Sequence, residues 1–194
     1  MGYRIVTISS QIGSGDREIA QLVSANLGIP CYEEDLMGMI ARESGFDVEF
    51  VKEHAEDAPG GWLGFTERRD YYGNSLRDTL YKAQEKVICG LAQAAPCVIV
   101  GCGADYFLRN NYETLSVFIH APTEERVERI IHERKCSEKD AMRQVNIQDK
   151  ARTMYYQVYT DQIWGAVQNY HLCLDSGRLH TERCARIIEM VYRD

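Results

Sequence analysis

Apolar residues along this chain follow two alternating rhythms. Ile5, Val6 and Ile8 form a first short apolar run, and residues 97–101 (CVIVG) and 116–121 (SVFIHA) repeat its form. Residues 170–176 (YHLCLDS) close the set, and residues 29–32 read as one more, shorter run. Continuous runs of this kind suit strands buried on both faces, as the central strands of a parallel sheet are. Between them the apolar spacing becomes helical. Ile19, Leu22, Val23 and Leu27 share one stripe, with Gly28 as the helix C-cap and Pro30 barring continuation. Helical spacing resumes at Leu36, Met39 and Ile40 and stops near Gly45, and Asp47 can cap a short helix carrying Phe50 and Val51. A long helix is expected over residues 74–94, stopped by Pro96, another opens at Pro122-Thr123, and a last one covers residues 183–192. Strands separated by helices imply parallel βαβ units with helices on both faces of the sheet. In such a sheet ligands bind beyond the carboxyl ends of the strands. The positions to watch are therefore residues 9–17, 32–35, 101–105 and 175–178.

Pro59-Gly60-Gly61, with Trp62 and Phe65 beside them, reads as a mobile loop within one domain spanning residues 1–194. A chain of 194 residues is long enough for one well-buried domain and short for two. The formal charge of −7 argues against nucleic acid or an anionic membrane as partner, so any phosphate ligand must meet a local cluster of cations. The seven cysteines are odd in number, scattered and never in C-x-x-C spacing, which suits neither a disulfide framework nor a zinc site. No apolar run approaches the ~20 residues of a membrane span, and no leader-like segment opens the chain, so a cytoplasmic protein is expected.

The first strand leads at Ser9 and Ser10 into a glycine-bearing loop, Gly13-Ser14-Gly15, and then into a helix. Small residues there let backbone N–H groups close around phosphate oxygens at a helix N-terminus. A glycine-rich turn occurs in many α/β proteins, and this one departs from G-x-x-x-x-G-K-[ST]. Ser10 stands at the first glycine, Asp16 at the lysine and Arg17 at the magnesium-binding hydroxyl. A dinucleotide fingerprint fails because its third glycine would be Glu18.

A second segment, residues 123–162, lies before the last strand and is rich in cations: Arg126, Arg129, Arg134, Lys135, Lys139, Arg143, Lys150 and Arg152. Ser137 with Asp140 resembles a capping box and divides it into two helices near Cys136. For any single arginine the plain reading is a surface pair of little weight, with Glu125, Glu128 and Glu133 as neighbours. As a unit, an arginine-bearing helical hairpin beside a phosphate loop suits a mobile lid that closes on ligand, and it holds few large apolar residues before Lys150. Tyr155, Tyr156, Tyr159 and Trp164 follow at helical spacing; core packing is the first reading of such a run and base stacking the second.

The ordered motifs ISSQIGSGDREIA, LGIPCYEEDL, VIVGCGADYFL, FIHAPTEERVERI, QDKARTMYYQVYTDQIWG and YHLCLDS together resemble the cytidylate kinase-like family of P-loop nucleoside monophosphate kinases. The resemblance runs from residue 8 to residue 176. It implies a three-layer α-β-α P-loop kinase fold, a five-stranded parallel sheet in the order 2-3-1-4-5, and a helical lid. The family pattern already lacks the lysine and carries an arginine at Arg17. Here Ser10 replaces a family arginine, Asp16 a glycine and Cys102 an arginine, so two cations are lost and one anion is gained near the phosphates.

Two functions follow from this. In the first, the resemblance implies transfer of the γ-phosphoryl group of ATP to a CMP-like acceptor, with Mg2+ accompanying ATP. Ser10, Gly13, Ser14, Gly15, Asp16 and Arg17 would bind phosphate, Arg17, Lys150 and Arg152 would act in catalysis, and Asp35 and Asp105 would contact the acceptor. In the second, the same fold is a non-catalytic nucleotide- or anion-binding protein with a degenerate loop. Asp16 bears on the choice. One unit charge against another at ~4 Å costs about 4 kcal/mol at an effective dielectric near 20, unless a magnesium ion turns repulsion into coordination.

Overall fold

In a computed structural model the protein is described over residues 2–55, 75–101 and 103–194. The expected Pro59–Gly61 loop, Trp62, Phe65, Asn74 and Cys102 lie outside the described residues. The strands are β1 (Ile5–Ser10), β2 (Cys31–Tyr32), β3 (Cys97–Val100), β4 (Thr114–His120) and β5 (Leu172–Asp175). They form one parallel sheet in the order β2-β3-β1-β4-β5. Ile8 of β1 stands beside Val100 of β3 and Val117 of β4, which aligns the carboxyl ends of the three central strands. The loops after these strands are thereby brought to one edge.

Strand alternation divides the core in two. Ile5 and Ile99 face one side, where α2 (Glu34–Ser44), α3 (Val48–His54), α4 (Leu76–Ala94) and α5 (Ala104–Leu108) cover them with Leu36, Ile40, Val51, Leu80, Ile88 and Leu108. Val6, Ile8, Val98 and Val100 face the other, against α1 (Asp16–Leu27) and α9 (Thr181–Arg193) through Ile19, Val23, Cys184 and Ile188. The helix signals read from sequence take these roles. Gly28 ends α1 in the left-handed region at φ 67°, and Asp47 accepts from the Glu49 N–H to start α3.

Residues 123–162 form two helices, α6 (Thr123–Arg134) and α7 (Glu138–Thr160), divided as expected: Ser137 accepts from the Asp140 N–H at 3.1 Å. One expectation for this hairpin needs amending. It is not poor in apolar packing, because Val127, Ile130, Ala141 and Val145 make a small core of their own, joined by Ile12 of the loop after β1. The hairpin is therefore fastened to the loop by apolar burial as well as by charge. A short helix α8 (Ser176–Leu179) follows β5, and Ser176 Oγ donates to Ser14 O at 2.6 Å and to His120 O at 3.2 Å.

Ile130 is fully buried, and a Cβ added at Gly13 would lie 3.1 Å from its side chain. Ile130→Ala should lower stability by about 2–5 kcal/mol, read from urea denaturation, because the gap opens between two elements that cannot both collapse into it. A loss below about 1 kcal/mol would show that the hairpin does not pack on the loop as described.

Candidate active site at the ends of the central strands

The loop between β1 and α1 is shaped by two glycines in the left-handed region, Gly13 at φ 76° and Gly15 at φ 81°. A Cβ at Gly13 would come within 2.7 Å of the Arg126 carbonyl oxygen, so close approach of the hairpin requires glycine there as much as the turn does. Ser14, between them, is completely buried, and its hydroxyl has no hydrogen-bond partner among the described residues. Gly15 caps α1 without a side-chain bond, and the first N–H groups of the helix have no carbonyl a turn earlier to meet. That is the geometry of an anion site.

The side chains of the loop point in unexpected directions. Asp16 accepts from Ser10 Oγ at 2.5 Å. Arg17 turns away to the start of α2, pairing with Glu33 at 2.5 Å and Glu34 at 3.4 Å. Burial pushes the Glu33 carboxyl above its usual range; Arg17 opposes that rise, while the charges of Asp16 and Glu34 reinforce it.

Cations come from the hairpin instead. Arg152 of α7 donates to Ser10 O at 2.6 Å, and Arg129 of α6 donates to Gly13 O at 2.6 Å. Arg126 is 4 % exposed and pairs with Asp149 at 2.7 Å, while the other Asp149 oxygen accepts from the Ile12 N–H at 3.2 Å. Sequence reasoning passed over Asp149 and treated Arg126 as a surface cation. The available signal was position: Asp149 stands three residues before Arg152 and seven before Tyr156, on one helical face.

A cleft of about 20 Å3, enough for roughly one water molecule, lies where these groups converge. It is lined by Ser9, Ser10 and Asp16, by Gly101 and Gly103 after β3, and by Arg152, Tyr155, Tyr156 and Trp164. Tyr155 and Tyr156 are buried, as the core-packing reading of the aromatic run expects, and both also line this cleft. Among the sequence candidates, Ser10, Asp16 and Arg152 meet here. Lys150 is exposed on α7 and Asp35 is exposed in the first turn of α2, and neither lines the cleft.

Asp105 is 1 % exposed beneath it. Its carboxylate accepts from Ser9 Oγ at 3.1 Å, from the Tyr156 hydroxyl at 2.6 Å and from Arg109 at 3.4 Å. Burial raises its pKa, and these three partners oppose the rise. The Tyr156 hydroxyl is likewise pushed up by burial first and by the Asp105 charge second.

A parallel sheet of this order, with a glycine-bearing loop before the first helix and an arginine-bearing hairpin against it, is the P-loop kinase fold. Comparison with known families matches residues 5–178 to the cytidylate kinase-like family, and the chain belongs to that family. Among solved structures it is similar to an uncharacterized protein from Eubacterium ventriosum, at 21% identity, covering 98% of each chain with a TM-score of 0.74. It is also similar to the shikimate kinase of Bacteroides thetaiotaomicron (15% identity, 98% of each chain, TM-score 0.55). The shikimate kinase of Acinetobacter baumannii in complex with shikimate resembles it too (13% identity, 96% of this chain and 90% of that one, TM-score 0.52). At these identities the likenesses speak to fold. No curated protein matches the chain in sequence. No helix among the described residues is long and apolar enough to cross a membrane.

The raised pKa of Asp105 has a consequence for stability. A carboxyl that holds its proton more tightly when folded contributes most below its ordinary pKa, and that contribution is lost as pH rises through the folded value. Wild type should therefore gain stability relative to Asp105→Asn as pH falls from neutral toward about pH 4. Denaturation midpoints of the two proteins across that range check it; a constant difference would contradict the assigned direction.

Proposed function

We propose that this protein is a phosphotransferase that moves the γ-phosphoryl group of ATP to a CMP-like nucleoside monophosphate. The observation that carries this reading is Arg152, which reaches from α7 to the first position of a phosphate loop that has no lysine of its own. Positioning and electrostatics dominate phosphoryl transfer, so a guanidinium at that point supplies what the loop lacks. The free N–H groups at the start of α1 and the orphan hydroxyl of Ser14 suit phosphate oxygens. The hairpin acts as the lid, with Arg129 and Arg152 on the donor phosphates and the exposed Lys150 approaching as charge develops. At the acceptor, Asp35 contributes from the surface of α2, and Asp105 acts from beneath through Ser9 and Tyr156.

Magnesium is tested by the chemistry of the donors. Asp16 supplies one carboxylate at the cleft and would hold a small, hard cation that keeps most of its waters. Arg17 cannot serve where a hydroxyl ligand would ordinarily stand. Bound with the triphosphate, the ion would neutralise charge on the transferring group.

A second reading, a nucleotide- or anion-binding protein without turnover, is favoured by the loop's own side chains. Arg17 is committed to Glu33 and Glu34, and Asp16 adds a negative charge to the cleft. The purified protein with ATP, magnesium and each nucleoside monophosphate in turn separates the two: ADP release with CMP or dCMP is expected. ATP binding without ADP release for any acceptor would leave the second reading.

Asp16→Gly should raise ATP affinity roughly five- to tenfold in chelator, where a like charge is removed from the phosphates. If Asp16 holds the magnesium ion, the same substitution weakens binding when magnesium is present. Calorimetric titration of both proteins in both conditions checks this, and an affinity unchanged in either would remove Asp16 from the phosphate site.

A further inference from the structure

Helix α7 meets β1 and the loop through one stripe of side chains. Asp149, Arg152 and Tyr156 stand at helical spacing and so share a face. In that order they engage the chain in reverse: Asp149 takes the Ile12 N–H, Arg152 donates to Ser10 O, and Tyr156 donates to Asp105, which also accepts from Ser9. The first two contacts fall on loop backbone that a phosphate must approach. The third lies beneath the cleft floor, fully buried.

Arg109, at the carboxyl-terminal cap of α5, crosses that third contact. It donates to Asp105, to the Tyr156 oxygen at 3.1 Å and to Gln162, just past the end of α7, at 2.8 Å. Next to it, Tyr155 donates to the buried Gln84 of α4 at 2.8 Å. The carboxyl-terminal half of α7 is thus held by polar contacts with fixed directions, whereas its amino-terminal half rests on the small apolar cluster of Ala141 and Val145.

We propose that Asp105 and Tyr156 are a positioning pair that sets where the Arg152 guanidinium meets the phosphate loop. A slip of one residue turns an α-helix by roughly 100° and advances it by about 1.5 Å, enough to take a guanidinium off a single carbonyl oxygen. Ala141 and Val145 resist such a slip too, but they lie two to three turns from Arg152. The buried carboxylate and hydroxyl resist it one turn from Arg152, because a misplaced helix leaves both without partners. Tyr156 lies one turn beyond Arg152, so the register fixed at Tyr156 is carried directly to Arg152. The inference rests on Arg152 being the cation of the phosphate loop and deepens that reading by naming what places it there. Neither Asp105 nor the ring of Tyr156 has to touch a transferring phosphoryl group for this.

The test uses the whole chain, labelled with 15N and free of ligand. The guanidinium resonances of Arg152, identified by their loss in Arg152→Lys, should show restricted rotation in wild type. They should be averaged in Tyr156→Phe, whose thermal transition shows that it is folded. Asp105→Asn, which keeps the side chain's size, carries the same test should Tyr156→Phe not fold. In the ADP-release assay the same variants should lose about tenfold or more in kcat/KM for ATP, because a displaced Arg152 no longer meets the donor phosphates. Unchanged Arg152 resonances in a folded Tyr156→Phe protein would overturn the proposal, as would a loss of rate that only follows a lowered melting temperature. If wild type releases no ADP with any acceptor, the phosphotransferase reading falls, and the resonances alone decide the positioning role.

Discussion

The contact on which the rest of the site depends is the docking of one face of α7 against the carboxyl end of β1. Through it a helix distant in sequence touches Ile12, Ser10 and, by way of Asp105, Ser9. The sheet makes this possible. Parallel strands in the order β2-β3-β1-β4-β5 bring Ser9, Ser10 and the residues after β3 to one edge, where a crossing helix can reach all of them. The glycines make it close, since Gly13 admits the Arg126 carbonyl to a distance that a side chain would forbid and Gly15 lets the Arg129 guanidinium sit tightly against the loop.

This arrangement bears on a loop whose side chains are unusual for its fold. With Asp16 at the lysine position and Arg17 drawn to Glu33 and Glu34, the first turn of α1 brings no cation toward the cleft. What remains is backbone: N–H groups, two turns in the left-handed region and a buried serine hydroxyl. In the proposed reading the hairpin supplies the missing charge. Binding of phosphate is then divided between a rigid strand–loop–helix and a hairpin that presses on it. The ion pair of Arg126 with Asp149 serves this division, because it is largely shielded from water and ties both helices of the hairpin to the Ile12 backbone.

Much of this was legible in the residues alone. The short apolar runs marked the strands because a parallel sheet is buried on both faces, and Gly28, Asp47 and Ser137 marked helix ends because caps act through local geometry. Candidate positions after the strands were found for the same reason, and Ser10, Asp16 and Arg152 do converge. The partners of long side chains were not legible. Arg17 finds acids at the start of α2, and Arg126 finds Asp149 across the hairpin; each choice is made by tertiary packing and leaves no mark on local spacing. Asp105 stands after β3 as read, in the first turn of α5, yet its burial depends on how α5 and α7 close over it. The small apolar core of the hairpin escaped notice because its members are spread over two helices among many charges.

The central claim is that a guanidinium from α7 completes the phosphate loop. Calorimetric titration of ATP with magnesium into wild type and Arg152→Met tests it most directly, since methionine keeps the length and apolar stem of the side chain and removes its charge. The account predicts that affinity falls by at least about tenfold, the loss of one charge-assisted contact to phosphate. Equal affinity of the two folded proteins would contradict it.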